Sequence, residues 1–155
     1  MTEHRDVAVI GAGQAGLATS YYLTEAGCDH VVLERDRAGE RWRSEKWDSF
    51  TLVTPNVMSR FPGFSYEGDE SDGLLTCDEV AEYLETYVDR FDPPFMTGVE
   101  VLAVRKHDAA DTVETTDTIH ETTNVIVATG PFQRLRIPEF GAEFSSCSNP
   151  RRRRF

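Results

Sequence analysis

Three closely spaced glycines near the start of the chain constrain its fold more than any other feature. Gly11, Gly13 and Gly16 follow Asp6–Ile10, a short apolar run whose β-branched residues predict a buried strand. Apolar side chains then recur at helical spacing over Gln14–Ala26, and a glycine comes next, where helices commonly end. The sequence therefore predicts a strand, a tight turn and a helix in direct succession.

The next apolar run, His30–Glu34, completes a β-α-β unit and ends in an acidic residue. Because crossovers of this kind are right-handed, the two strands are expected to be parallel. In such a unit the pattern Gly-x-Gly-x-x-Gly serves a dinucleotide. Gly11 permits the tight turn, Gly13 lets backbone N–H groups approach a pyrophosphate, and Gly16 lets the helix pack closely on the strand.

Two further features define the ligand that this unit can hold. Gln14 and Ala15 open the helix, whose N-terminus carries a partial positive charge that favours the two phosphates. Glu34, at the end of the second strand, can accept hydrogen bonds from the adenosine ribose, and its charge disfavours a 2′-phosphate. The fingerprint therefore predicts a site for FAD or NAD rather than NADP.

The rest of the chain predicts a loop, a helix, a meander and one more buried strand. Residues 35–75 show no periodicity, and so long an irregular stretch is typical of a functional loop. Thr76–Glu79 has the capping pattern that begins a helix, which ends before Pro93–Pro94. Further strands are predicted at Gly98–Lys106 and Thr112–Ile119, as a hairpin or meander, and at Asn124–Ala128, in the centre of the parallel sheet. The predicted class is α/β, a Rossmann-like FAD/NAD(P)-binding domain whose parallel sheet carries helices and a small antiparallel β-meander.

The charge of the chain excludes several classes of partner. Its 27 Asp and Glu residues outnumber its 16 Lys and Arg residues, and four of the latter are Arg151–Arg154. So acidic a surface repels phosphate backbones and anionic lipid, and we expect no nucleic acid and no membrane as a partner. Only Lys46 and Lys106 are lysines, which is typical of an acidic, halophilic protein that stays soluble in high salt.

Neither the cysteines nor the histidines form a ligand pattern. The three cysteines include no Cys-x-x-Cys pair and the four histidines are scattered, so we predict no disulfide framework and no metal site. No apolar stretch is long enough to cross a membrane, and glycines interrupt the apolar run near the start, unlike that of a signal peptide. We therefore expect a cytoplasmic protein.

Two later motifs resemble those of a known family. Ala128-Thr129-Gly130, after the last apolar run, looks like the Ala-Thr-Gly signature of flavoproteins with two dinucleotide-binding domains. Gly39–Asn56, with Trp-x-x-x-x-Trp-Asp-Ser and Leu-Val-Thr-Pro, and Phe61–Phe64 resemble stretches of the flavin-containing monooxygenase-like family of FAD-dependent oxidoreductases. The resemblance covers about residues 7–140.

This resemblance implies FAD as the cofactor and assigns further residues to its site. Trp42 and Thr54 are expected beside the isoalloxazine or the ribityl chain, because the corresponding loop of the family wraps the flavin side of FAD. In the adenine half, Arg35 accompanies Glu34, and Val101 matches a position whose backbone meets the adenine edge. The residues of the signature that are expected to pass close to the cofactor are Ala128, Thr129 and Gly130.

The chain also departs from the family. Many members have two glycines where this chain has Gly39–Glu40, and a side chain there hinders the closest approach of backbone to FAD. Members have a second Gly-x-Gly-x-x-Gly for NADPH and a C-terminal segment that completes the flavin pocket, and this sequence has neither. We therefore expect residues 1–141 to be an incomplete FAD-binding domain, the N-terminal part of a truncated monooxygenase-like enzyme that is weakly active or inactive alone. Residues 142–155 are expected to be a disordered, aberrant basic tail.

No catalytic residue is assigned, since no carboxylate, His or Cys has a spacing that indicates an acid or base. The sequence does not identify the small-molecule substrate. Two other functions remain open. The same fingerprint serves NAD-binding oxidoreductases and sensors. The second open function is non-enzymatic. The chain would then be a gene remnant, or a module whose unfinished sheet is completed by a separate chain or by an oligomer.

Overall fold

The computed structural model describes residues 2–131 and residue 139. The predicted tail, residues 142–155, lies outside the described residues. The elements are β1 (Thr2–Ile10), α1 (Gln14–Glu25), β2 (His30–Leu33), α2 (Glu40–Ser44), a 3₁₀ helix (Asn56–Met58), β3 (Arg60–Phe61), β4 (Phe64–Ser65), α3 (Cys77–Phe91), β5 (Phe95–Met96), β6 (Val101–Arg105), β7 (Asp111–Thr115) and β8 (Ile119–Val127).

A six-stranded sheet with the order β5-β2-β1-β8-β7-β6 forms the centre of the fold. β1 pairs in parallel with β2 on one side and with β8 on the other, and β5 pairs in parallel with β2. β8, β7 and β6 form an antiparallel meander at the other end of the sheet. The predicted α/β class, with a mainly parallel sheet and a small meander, is confirmed.

The unit formed by β1, α1 and β2 follows the prediction closely. α1 begins at Gln14, and Gly27 after its end takes a φ of 67°, a left-handed conformation that favours glycine and stops the helix. Ser20 on α1 and His30 on β2 are both buried, with Oγ and Nε2 2.7 Å apart, and Nδ1 of His30 lies 2.9 Å from the carbonyl oxygen of Cys28. Nδ1 therefore donates to the carbonyl, and Nε2 is hydrogen-bonded to the hydroxyl, so both ring nitrogens of His30 have a partner.

α3 begins with the predicted capping box. The Thr76 hydroxyl accepts a hydrogen bond from the backbone N–H of Glu79, and the Glu79 carboxylate accepts one from the backbone N–H of Thr76. The bonds to the carboxylate stabilise its charged form and lower the pKa of Glu79. The apolar stripe of α3 packs on the sheet and on α1 in a core that contains Val9, Leu17, Val32, Leu84 and Tyr87.

Residues 35–75 are less irregular than predicted, because they contain α2, the 3₁₀ helix and the hairpin of β3 and β4. The hairpin turns at Gly63, where φ is 68° and an added Cβ would lie 2.7 Å from the hydroxyl oxygen of Tyr21. Leu52 N–H donates to the carbonyl of Leu75, which ties the middle of this segment to its end, just before α3. Each element is shorter than the window in which a hydrophobic period can be recognised, so the sequence pattern does not reveal it.

β8 differs from its prediction in length and in burial. It is one strand from Ile119 to Val127, so β7 ends earlier than predicted, and a turn in which Thr115 Oγ1 donates to the Thr118 carbonyl separates the two. β7 pairs with β8 only as far as Thr122, so beyond this residue the outer edge of β8 has no strand partner among the described residues. The expected full burial of this strand is wrong for its last residues, and Val127 is 68% exposed.

His120 is a buried titratable group in the middle of the sheet. It lies between Glu3 on β1 and Val113 on β7, and within the described part of the chain neither ring nitrogen has a hydrogen-bond partner. Burial lowers the pKa of His120, the Glu3 carboxylate at 3.6 Å opposes this, and Arg5 adds to it. The folded state therefore favours the neutral imidazole.

We expect acid to destabilise the fold through His120. The unfolded chain binds a proton near pH ~6.5 and the folded chain only at lower pH, so the free energy of unfolding falls as the pH drops below about 6.5, by up to about 1.4 kcal/mol per pH unit. His120→Leu removes this term, so between about pH 7 and 5 its Tm should fall less than that of the wild type. His107→Leu, at an exposed position, is the control. Parallel Tm profiles for wild type and His120→Leu would contradict the prediction.

In the described residues there is no helix long and apolar enough to cross a bilayer, and no cluster of three His, Cys, Asp or Glu side chains that could hold a metal ion. Cys28 and Cys77 have free thiols, and burial raises the pKa of Cys77. These findings add no candidate site to the one that lies at the end of the parallel strands.

Candidate functional site

A cleft of about 1120 Å³ lies where the parallel strands β1, β2 and β8 end. Open α/β sheets bind ligands at the carboxyl ends of the strands, where the two neighbours of a central strand lie on its opposite sides. Here β2 and β8 flank β1 in this way. The residues of the cleft that the sequence predicted are Gly11, Gly13, Gln14, Ala15, Glu34, Arg35, Trp42, Val101, Ala128, Thr129 and Gly130. The structure therefore brings the glycine turn, the strand-end acid and the Ala-Thr-Gly turn to one place.

Close backbone contacts require glycine at positions 11 and 16. Gly11 has a φ of 104°, and an added Cβ would stand 2.8 Å from the carbonyl oxygen of Ala128. An added Cβ on Gly16 would stand 1.9 Å from the carbonyl oxygen of Gly11. Gly16 is buried behind the turn and does not line the cleft, and its close contact is with the glycine turn at the end of β1. The sequence predicted this contact between the helix and the strand.

Gly13 differs from the other two glycines because nothing crowds it. An added Cβ would meet no atom within 4 Å, and its φ of −84° suits any residue. Gly13 is the N-cap of α1 and has no side chain to accept hydrogen bonds from the first helical N–H groups. Because these N–H groups also lack partners within the helix, the first turn of α1 can bind an anion in the cleft.

Glu34 is held in place by two backbone N–H groups. Its Oε2 accepts from Ala12 at 2.8 Å, and its Oε1 accepts from Asp36 at 3.0 Å. A carboxylate oxygen has two lone pairs, so each can accept a second hydrogen bond from a ligand hydroxyl. The adjacent Arg35 donates from Nε to Oδ2 of Asp36 at 3.2 Å, and this bond raises the pKa of Arg35.

Arg41 joins α2 to the Ala-Thr-Gly turn. Its Nη1 donates to the carbonyl of Thr129 at 3.2 Å, and its Nε donates to Oε2 of Glu45 at 2.7 Å. At the start of α2, the N–H of Gly39 donates to the carbonyl of Ala12 at 3.4 Å. The glycine turn, α2 and the turn after β8 therefore surround the cleft on three sides.

Of the two residues predicted on the flavin side, Trp42 lies in the cleft and Thr54 does not. Trp42 is half-buried, its ring centroid is 5.8 Å from that of Phe50, and the Lys46 ammonium lies 5.1 Å from the centre of its ring. Thr54 is exposed and outside the lining of the cleft. Its contact with a flavin stays a prediction. Trp47 is 48% exposed and also lies outside the lining.

Four charged residues of the cleft were not among the predicted site residues: Glu40, Glu45, Lys46 and Glu100. The sequence pointed only to Glu40, as a side chain at the close approach of backbone to FAD, and the other three were missed. The carboxylate of Glu40, where many family members have glycine, is bound by Arg37. The departure at Gly39–Glu40 was the one signal in the sequence, because a short helix shows no period that would place its side chains.

The family of the chain follows from comparison with known proteins. The model of the Pyr_redox_3 family, described as pyridine nucleotide-disulphide oxidoreductase, matches residues 8–153. The chain belongs to this family. The residues matched to the Pyr_redox_3 model include the whole cleft described above, because the match begins within β1 and continues past Gly130.

Within the Pyr_redox_3 family, the chain is similar in sequence to two curated oxidoreductases and in structure to a solved monooxygenase. The "Uncharacterized oxidoreductase CzcO-like" of Geobacillus kaustophilus is 40% identical over 141 residues, which are 90% of this chain and 40% of that protein. The "Uncharacterized oxidoreductase CzcO" of Bacillus subtilis is 34% identical, over 93% of this chain and 41% of that protein. The solved flavin-containing monooxygenase from Stenotrophomonas maltophilia superposes with a TM-score of 0.80 at 28% identity, over 88% of this chain and 42% of that one.

These matches confirm the predicted resemblance to flavin-containing monooxygenase-like oxidoreductases and the Rossmann-like fold. The chain spans about two fifths of the length of these relatives.

Proposed function

We propose that this chain is an FAD-binding unit of a monooxygenase-like oxidoreductase. The observation that carries the proposal is the meeting of the open first turn of α1, the backbone-held Glu34 and the Ala128–Gly130 turn in one cleft. The likeness to a flavin-containing monooxygenase at 28% identity supports FAD as the dinucleotide.

Each half of the cofactor has residues that suit it. The pyrophosphate binds at the N-terminus of α1 beside Gly13, where N–H groups and the helix dipole attract its charge. The ribose of adenosine donates to Glu34, and the backbone of Val101 borders the adenine. Trp42 lies toward the flavin half. When bound, FAD supplies the redox chemistry, and these residues orient it and shield it from water.

The charge of Glu34 separates the possible dinucleotides. It disfavours the 2′-phosphate of NADP, so the cleft is suited to FAD or NAD. NAD is the second candidate, because the same turn and acid serve it equally. FAD is favoured by the loop that carries Trp42, which resembles the flavin-wrapping loop of the family.

The proposed turnover of NADPH and a substrate needs more of the enzyme than this cleft. The chain corresponds to about two fifths of its relatives, and it has one Gly-x-Gly-x-x-Gly pattern. We therefore expect FAD binding by the chain alone, with weak or no NADPH oxidation.

The deciding experiment is an absorbance spectrum of the chain after it has been refolded in high salt with FAD and then desalted. We expect the visible bands of oxidised flavin to stay with the protein. A colourless chain whose Tm rises with NAD would favour the NAD-binding function instead. A colourless chain that forms a stable oligomer would favour the partner-binding module.

Gly13→Asp should abolish FAD binding without harming the fold. Aspartate is a preferred N-cap residue, and the site has room for it, so the Tm should stay the same or rise. Its carboxylate would take the N–H groups that the phosphates need and would repel their charge. We expect FAD affinity to fall by about 100-fold or more, roughly 3 kcal/mol.

Two variants separate the causes of that loss. Gly13→Asn caps the helix without a charge and should lose less affinity than Gly13→Asp. Gly13→Ala adds a single carbon where nothing is within 4 Å, so it should keep most of the affinity. A folded Gly13→Asp protein that stays yellow would place the pyrophosphate elsewhere.

A further inference from the structure

α2 carries two arginines, and the structure gives them different surroundings. Arg43 is bound by the carboxylate of Glu85 on α3 through two hydrogen bonds of 2.9 and 2.8 Å, and it does not line the cleft. Arg41 lines the cleft and donates to Thr129 and Glu45. The two side chains are close in sequence and opposite in their surroundings, so one can serve as the control for the other.

The guanidinium of Arg41 lies close to the place where a pyrophosphate would bind. An added Cβ on Gly130 would lie 3.7 Å from its Nη1, and the turn that contains Gly130 touches the glycine turn, since Gly11 approaches Ala128 closely. α2 itself is hydrogen-bonded to the glycine turn through Gly39. Arg41 is therefore on the wall of the cleft that is formed by the Ala-Thr-Gly turn and adjoins the glycine turn.

The carboxylates of the cleft differ in what holds them. Glu34 is bound by backbone N–H groups and Glu40 by Arg37. Glu45 is bound by Arg41 itself. The Arg41 side chain is 33% exposed and the Glu45 side chain is 45% exposed. A phosphate that binds the guanidinium must therefore compete with Glu45, because both are anions that seek the same planar set of donors.

We propose that Arg41 binds the pyrophosphate of the dinucleotide and that Glu45 competes with the phosphate for it, which weakens binding. This inference rests on the proposed dinucleotide site and adds a specific cation and its competitor to that site. It explains how a cleft lined by four glutamates accepts a ligand with two negative charges, since one of these glutamates is exchanged for the ligand. It also makes opposite predictions for two residues that form one ion pair.

The test measures the dissociation constants of ADP, which has a pyrophosphate, and of adenosine, which has none, by calorimetry on the full chain. For Arg41→Gln we expect ADP binding to weaken about tenfold or more, as for the loss of a charge-assisted hydrogen bond, with adenosine binding unchanged. Arg41→Lys keeps the charge but loses the fork, so it should recover part of the ADP affinity. For Glu45→Gln we expect ADP binding to tighten several-fold.

Arg43→Gln is the matched control. It breaks the pair with Glu85, so it should lower the Tm and leave the ADP affinity unchanged. The double variant Arg41→Gln/Glu45→Gln should bind ADP about as weakly as Arg41→Gln alone, because Glu45 acts through Arg41.

Three results would overturn the inference. Wild-type ADP affinity in Arg41→Gln would remove Arg41 from the site, and an equal loss of adenosine binding would make its effect structural. A full gain from Glu45→Gln in the Arg41→Gln background would show that Glu45 acts only as a general negative charge. In each case the wild-type chain still binds FAD, so the proposed function stands, whereas a wild-type chain that binds neither FAD nor ADP overturns both.

Discussion

Replacing Gly16 by alanine is expected to destabilise the fold strongly. The new Cβ would stand 1.9 Å from the carbonyl oxygen of Gly11, which is backbone and cannot turn aside. Either α1 moves away from β1 or the glycine turn breaks its contact with Ala128. We expect a loss of about 3 kcal/mol or more, a large part of the roughly 5–15 kcal/mol of a typical domain, measured by urea unfolding.

Two other glycines on or beside α1 provide graded controls for this prediction. Gly13→Ala introduces neither a clash nor strain, and should cost no more than about 1 kcal/mol at an N-cap. Gly27→Ala introduces strain without a clash, since its φ is 67° and nothing lies within 4 Å, and should cost about 1–2 kcal/mol. If Gly16→Ala were no more destabilising than Gly27→Ala, the close approach of α1 to the turn would be wrong.

The second large effect is expected at Tyr87, on the buried face of α3. Its ring is 1% exposed and stacks with that of Phe61 at 4.7 Å, and the rings of Phe64 and Phe91 lie 5.6 and 5.4 Å away. Tyr87→Ala leaves a cavity among these rings and should lower the free energy of unfolding by about 3–5 kcal/mol, measured by the same urea titration.

The Tyr87 hydroxyl allows the packing of the ring to be separated from its hydrogen bond. It donates to the carbonyl of Pro62 at 3.0 Å, in the turn between β3 and β4. Tyr87→Phe keeps the ring and should cost only about 1 kcal/mol. Tyr22→Ala, on the exposed side of α1, should change stability by less than about 0.5 kcal/mol. Equal losses in the two Tyr87 variants would assign the stability to the hydrogen bond instead of the ring.

The parts of the site that could be predicted are those whose residue types are dictated by local backbone geometry. Gly11 and Gly16 are needed because another backbone segment occupies the place of a Cβ, and such needs leave a fixed spacing in the sequence. Glu34 follows the same logic, because the end of a parallel strand next to a glycine turn always meets the cleft. The capping box of α3 is local in the same way, since both of its partners lie within one helical turn.

The parts that could not be predicted depend on contacts between distant segments. Arg41 and Arg43 are equivalent in the sequence, and only the position of Glu85 on α3 separates them. Thr54 belongs to a motif, yet a motif does not tell which way the chain turns after the Thr51 bridge to Thr76. The exposure of Val127 likewise depends on where the pairing of β7 stops, and the apolar composition of β8 gave no sign of that.

The order of the strands has a consequence for how this chain is made. One edge of β1 can be closed by β2 as soon as the residues up to Leu33 have left the ribosome. The other edge pairs Thr2 with Ile119 and Ile10 with Val127, so it stays open until nearly a hundred further residues are synthesised, about 5–20 s at usual rates of translation. During that time the open edge of β1 is available for wrong pairing, because its proper partner, β8, is the last strand of the sheet in chain order. The strand that anchors the sheet is thus the first to be made and among the last to be enclosed on both sides.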